Sequence, residues 1–434
     1  MKMARAAVAA DLTLLIVLLF TCSSTEGQMS STSTDMTALL AFKKELTNSD
    51  PLVDWVSKTT SSSPCRWTGI TCNTLNQVTN ISLYAAGIAG PISPSLGMLK
   101  SLEYLDLSSN ALSGAIPPEL GSLQNLLMLD LNSNSLIEGA IPAEIFRLVN
   151  LEYLDLSYNV ISGSLPAEIQ NLVNLTTLIL AGNSLSGAIP PQLGSLMKLQ
   201  WLDLNVNSFE GVVPPQLSRL QNLQHISLSS NSLTGTLPAL QAMSRLEHID
   251  FNSNLFSGPI SPLVATLSGV SHLDLSNNSL TGTIPAEIWS MVSLVELDLG
   301  GNSLTGGIPA DIGNLTNLRS LYLGNGRFTG PLPPELSKCA FLQKLDLGGN
   351  YFSGVIPESF GELKNLITLN LPFVQINGSI PASLANCTHL EVRTHNIIFL
   401  SILDHCKMSI NSTFYNLHKQ FRNVHGHQGF HYHG

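Results

Sequence analysis

The stretch "LEYLDLSSNALSGAIPPELGSLQN" occupies Leu102–Asn125, and "VSHLDLSNNSLTGTIPAEIWSMVS" occupies Val270–Ser293. Both place aliphatic residues at positions 1, 4 and 6, Asn at 9, Gly at 13 and Ile-Pro at 15 and 16. The same frame divides Val78–His389 into thirteen units, eleven of them 24 residues long. The unit starting at Leu126 has one extra residue ("SLIEGAIP"), and the unit starting at Leu223 has one fewer. Self-similarity at this period belongs to solenoids, in which each unit buries its apolar face only against its neighbours.

Each recurring position has a physical reason. In "LxxLxLxxN" the residues at 1, 4 and 6 point inward, whereas position 5 faces out, as the two-residue period of a strand requires. Asn recurs at position 9 in ten units, where its amide both donates and accepts at the end of the strand. Gly follows in every unit, from Gly90 to Gly378, where the chain turns or takes a positive φ, and it stands at position 13 except in the unit with the extra residue. Pro then ends strand hydrogen bonding and starts the convex side. The fold class is therefore an α/β solenoid, a right-handed leucine-rich repeat superhelix with a parallel concave sheet. At strand spacing of about 4.8 Å the thirteen units give a concave ribbon about 60 Å long.

The open end of the first unit needs a cover, and residues 28–77 supply one. "TDMTALLAFKKELT" (Thr34–Thr47) places Met36, Leu39, Leu40 and Leu46 at helical spacing, with Thr34 or Asp35 as its cap. Trp55, Trp67 and a Cys65–Cys72 disulfide are expected to shield the first leucines. The leader reads as a secretory signal over residues 1–27: Lys2 and Arg5, then the apolar "LTLLIVLLF" (Leu12–Phe20), then the small and polar "TCSSTEG". Sequons at Asn80, Asn174, Asn277, Asn314, Asn377, Asn386 and Asn411 fit that route.

Of the 434 residues, 12% are charged, and the formal net charge of −10 argues against a general nucleic-acid binder. Beyond the leader the longest apolar run is "IIFLSIL" (Ile397–Leu403), too short to span a membrane. No kinase glycine loop, H-R-D, D-F-G, H-E-x-x-H or Walker sequence occurs, so neither enzymatic activity nor a cofactor is expected.

The pattern "LLAFKKEL…W…CRWTGITC" followed by "LxxLxLxxNxLxGxIPxxLGxLxx" resembles the ectodomains of plant leucine-rich repeat receptor-like kinases and receptor-like proteins, over Thr34 to Val392. "LYLGNGRFTGPLP" and "LNLPFVQINGSIP" put Gly326 and Val374 at the Asn position. Together with "SFGELKNLITLNL" they resemble the excess-microsporocytes (multiple sporocyte) type. The resemblance implies a secreted peptide or small cysteine-rich protein as ligand and a co-receptor kinase ectodomain as partner. It also implies a plasma-membrane setting for a full receptor, whose span and kinase are not in this sequence. A rival reading is a secreted binder similar to polygalacturonase-inhibiting proteins. These end in a cysteine-paired cap, whereas only Cys406 lies beyond the repeats here.

Ligand specificity belongs on the outward positions of the concave face. Position 3 carries Tyr153, Trp201, His225, His248 and His272, and Tyr and Trp are favoured anchors. The alternative use of such side chains is lateral packing across repeats. Three consecutive histidines make pH-dependent binding between about pH 5 and 7 an expectation. A zinc site there lacks supporting ligands. Position 5 is mostly Asp (Asp106, Asp130, Asp155, Asp203, Asp250, Asp274, Asp298, Asp346), the ordinary form of the repeat, and its breaks at Ile179, Ser227 and Tyr322 are more informative. Cys339 and Cys387 share position 22 two units apart, too far for a disulfide, and are expected to be buried thiols.

At Arg393 the frame stops three residues into a fourteenth unit, and 390–434 read as an aborted repeat and a histidine-rich tail. A shifted frame or translated intron is the expected cause, a truncated product a third reading, and frayed last repeats the expected consequence.

Overall fold

The computed structural model describes residues 31–57, 63–371 and 374–390. The signal segment, Cys22, the Asn411 sequon, Cys406 and the histidine-rich tail lie outside the described residues.

Position 3 to position 5 of each repeat forms a three-residue strand, lengthened to Val78–Ser82 in the first repeat. Thirteen such segments stack in sequence order behind an N-terminal strand to make one fourteen-stranded sheet. Pairing is parallel and in straight register, so that Tyr153, Thr177, Trp201, His225, His248 and His272 are successive partners along one row. Behind the sheet each repeat buries a set such as Leu102, Leu105, Leu107, Leu112, Ile116, Leu120 and Leu123, each at most 1% exposed. Leucine fills this interior because stacked repeats leave no polar partner inside, and burial of each side chain is worth about 1.5–3 kcal/mol.

The sequence reading did not anticipate a second sheet. Positions 10–14, such as Ala111–Ala115 and Ser279–Thr283, form thirteen parallel strands on the adjoining face. Its register is sheared: Ser186 pairs with Ser208 and Thr281 with Ser303, two positions out of phase at each step. The convex side is a series of five-residue 3-10 turns such as Pro118–Ser122. Every repeat has one except the repeat from Leu223, which is the one a residue short.

The cap helix α1 spans Ser31–Glu45, three residues earlier than expected. Asp35 does not cap it; its carboxylate accepts the N–H of Val78, the first strand residue of the first repeat, at 2.9 Å. Phe42, which the helical spacing had not singled out, is fully buried beside Trp55, while Met36 and Leu40 are only partly buried. Trp55 stacks on Trp67 at 5.6 Å and donates its Nε1–H to the Thr68 carbonyl. Cys65 and Cys72 are disulfide-bonded. Strand β1 (Ile70–Cys72) then pairs antiparallel with β2 (Val78–Ser82), closing the edge that a parallel stack would leave open.

Candidate ligand-binding face

The position-9 amides make a ladder inside the turn, unbroken from Asn110 to Asn302 and resumed at Asn350 after Gly326. Asn110 donates to the carbonyls of Leu83 and Leu107, and its Oδ1 accepts the Ile88 N–H of the preceding repeat. All ten asparagines donate backward in this way, and nine accept a backbone N–H. The exception is Asn159, whose buried Oδ1 has no partner. The extra residue in the preceding repeat turns the Ile137 N–H to the Asn134 carbonyl instead. A second asparagine ladder, at position 24, went unread in the sequence: Asn125, Asn150, Asn174, Asn222, Asn317 and Asn365 each donate to a carbonyl one repeat back.

On the concave face the eight position-5 aspartates each accept the N–H two residues on, at 2.8–3.2 Å. The column therefore holds the turns after the strands, which explains its regularity without a ligand. Partial burial pushes Asp130 and Asp203 up to about 6 and Asp298 to about 7, with the neighbouring aspartates adding to the rise. Among the described residues the only ion pair is Arg147–Glu144, on the convex side, so no aspartate of this column is ion-paired.

The aromatic residues divide into two groups. Trp201, His225, His248 and His272 form one ladder, with ring centroids 3.7, 4.4 and 5.5 Å apart, the first two contacts face to face and the last tilted. Lateral packing across repeats is thus present, and the histidines turn ring edges rather than faces to solvent. His272 also shares a hydrogen bond with the Ser271 hydroxyl at 2.8 Å. Tyr153 stands apart, one repeat beyond Thr177, with its hydroxyl donating to Asp155 at 3.3 Å. Burial of the ring and the surrounding carboxylates push its phenol up.

The expected titration between pH 5 and 7 is not kept by His225. Burial, and then the neighbouring His248, lower His225 to about 4, and burial also lowers His248. Rings packed on one another lose the water that would solvate their charged form.

The sequons fall on different surfaces. Asn314, Asn377 and Asn386 are exposed, and Asn277 is an exposed turn residue at the end of its strand. Asn174 is committed to the lateral ladder and also accepts from Lys198 at 2.8 Å. Asn80 lies half-buried in β2. Cys339 and Cys387 are buried free thiols, as expected, each donating to a carbonyl of an earlier repeat, Ile312 and Phe360 respectively. Burial pushes Cys339 up to about 11, so it is not a ready nucleophile.

Comparison with known proteins agrees with this architecture. The leucine-rich repeat N-terminal domain matches residues 32–73, and the leucine-rich repeat region matches 137–276. Further leucine-rich repeat models match 260–304, 101–123, 317–339 and 341–363. The leucine-rich repeat receptor-like serine/threonine-protein kinase GSO2 of Arabidopsis thaliana is 34% identical over 145 residues, 32% of this chain and 11% of the kinase. Among solved structures, PEPR1–AtPEP1 is 34% identical with a TM-score of 0.75, over 81% of this chain and 50% of that one. The ectodomain of the receptor kinase GASSHO1/SCHENGEN3 of Arabidopsis thaliana, in complex with CASPARIAN STRIP INTEGRITY FACTOR 2, is 31% identical with a TM-score of 0.61, over 82% of this chain and 52% of that one. The chain thus spans about a tenth of the curated kinase and half of the solved ectodomains, and the matched region is the non-catalytic repeat domain. Among the described residues no helix is long and apolar enough to cross a membrane.

Proposed function

The chain belongs to the leucine-rich repeat proteins and is similar to plant receptor-like kinases over its repeats, and on that premise we propose that it is an extracellular ligand-binding domain. Its ligand is a secreted peptide or small cysteine-rich protein held on the concave face, and a co-receptor ectodomain is the second partner. The observation that carries this reading is Trp201, 42% exposed at the open end of a ring ladder in the middle of the concave sheet. A large amphipathic ring held rigid by stacking and left half in solvent is the kind of anchor that dominates interfaces. The receptor kinase ectodomain seen with CASPARIAN STRIP INTEGRITY FACTOR 2 shares the fold and supports the reading.

The test is binding of the secreted, purified chain to panels of plant secreted peptides, small cysteine-rich proteins and polygalacturonases. A peptide or cysteine-rich ligand is expected, with Trp201→Ala weakening its binding by about tenfold or more. Binding to hydrolases alone, or a ligand indifferent to Trp201→Ala and His248→Ala, would overturn the reading.

A further inference from the structure

The fifth repeat interrupts the concave face in both of its outward rows. In the first row Thr177 is the register partner of Tyr153 on one side and Trp201 on the other. In the second row Ile179 lies between Asp155 and Asp203. Beyond them the turn narrows to Ala181 and Gly182. Trp201 uses one face to stack on His225 at 3.7 Å and 6°, so its opposite face looks along the sheet toward Thr177. In the ladder each ring fills one strand spacing. Thr177 does not, and a slot one ring thick is left against the open face of Trp201.

The slot has a floor, a wall and charge. Thr177 and half-buried Ile179 form an apolar floor. The Tyr153 hydroxyl is tied to Asp155, which holds that wall in place. Asp155 and Asp203 flank the floor symmetrically, and neither has an ion-pair partner among the described residues. Their Oδ1 atoms are engaged by the Ser157 and Asn205 N–H groups. Asp203 keeps its second oxygen, whereas that of buried Asp155 already takes the Tyr153 hydroxyl and, at 3.5 Å, the Asn132 amide.

We propose that this slot receives an arginine side chain of an extended peptide, its guanidinium flat on Trp201, its stem over Thr177 and Ile179, and its N–H groups directed to Asp203, with the Asp155 charge on the other side. A planar, permanently charged group matches a π-face beside two carboxylates, whereas a lysine ammonium matches the charge but not the face. The ring beneath Trp201 stays neutral above about pH 4 and does not repel the cation. The proposal rests on the concave face being the ligand-binding face, but not on the source of the ligand.

The experiment titrates the whole chain with N-acetyl-arginine methylamide and with its neutral citrulline isostere, following the indole N–H resonance of Trp201. The other three tryptophans, Trp55, Trp67 and Trp289, are buried, and Trp201→Phe assigns the signal. The arginine probe is expected to shift the Trp201 signal saturably and to bind about tenfold tighter than citrulline. Thr177→Tyr, which fills the slot from a half-buried, outward strand position, should abolish the shift, and Thr177→Ser should preserve it. An unmoved Trp201 signal, equal response to both probes, or full binding by a folded Thr177→Tyr protein would overturn the proposal. A slot that binds arginine in a chain that captures no extracellular ligand would sink the receptor reading alone. A captured ligand indifferent to Thr177→Tyr would sink the slot alone.

Discussion

At the scale of single residues, position 8 of the repeat is the strained one. Ser109, Ser133, Tyr158, Val206, Ser230, Ser253, Asn277 and Asn325 all hold φ near +50° there, and Gly182, Gly301 and Gly349 take the same conformation. For Val206, at φ 50°, this is unusual, since a β-branched side chain crowds the backbone in the left-handed region. The strain costs about 1–3 kcal/mol, and Val206→Asn is expected to recover about 1 kcal/mol, read as a higher guanidinium midpoint. The ladder asparagines work in the opposite sense. Asn183 accepts from Ile161 N–H and donates to the Leu156 carbonyl, so Asn183→Leu strands both groups and should cost about 3 kcal/mol in the same measurement. The ladder was legible because one residue type recurs in it. The strained turn was not, since Ser, Tyr, Val, Gly and Asn share no chemistry that marks a left-handed residue.

At the scale of elements, the first sheet could be read from its leucines and the second could not. Segments such as "SLSGA" (Ser184–Ala188) carry one buried residue, Leu185, and a glycine at φ 77°, so local propensity speaks against a strand. They become strands because thirteen of them stack, a property of the array rather than of any unit. The convex turns pack closely for a related reason. A Cβ on Gly121 would stand 2.3 Å from the Glu144 carbonyl oxygen, so Gly121→Ala must separate two repeats and is expected to cost about 1–3 kcal/mol. Phe146 takes the equivalent place one repeat on and is fully buried, which explains why the position does not read as glycine throughout. The cap was legible in its tryptophans and cysteines. Replacing Cys65 and Cys72 by Ser should cost about 2–4 kcal/mol, seen as lost hydrogen-exchange protection in Val78–Ser82 while the middle repeats keep theirs.

At the scale of the whole molecule, the stack turns one repeated aspartate into a column of like charges, and its pH response follows from that. Asp298 is raised to about 7, first by burial and then by Asp274, Glu296 and Asp346, and Tyr322 is its register partner on the next strand. Among the described residues no aspartate of the column forms an ion pair. A carboxyl raised above its unfolded value near 4 binds more protons folded than unfolded in the interval between the two. Its contribution to stability is therefore fully present below about pH 4 and is lost as pH rises through about 7. His225, lowered to about 4, acts oppositely, since its unfolded form takes up the proton first and stability falls as pH drops from about 6.5. The two dependences cross in the mildly acidic range, so single variants separate them better than the wild-type curve. Asp298→Asn keeps an oxygen for the Gly300 N–H and removes the charge. It is expected to stabilise the chain by roughly 1–2 kcal/mol at pH 7.5 and by progressively less toward pH 5. Thermal melts of both proteins across that interval measure the difference. A constant offset, or a gain that grows as pH falls, would show that the column is not repelling itself. It would also leave the cation preference of the concave face without its electrostatic basis.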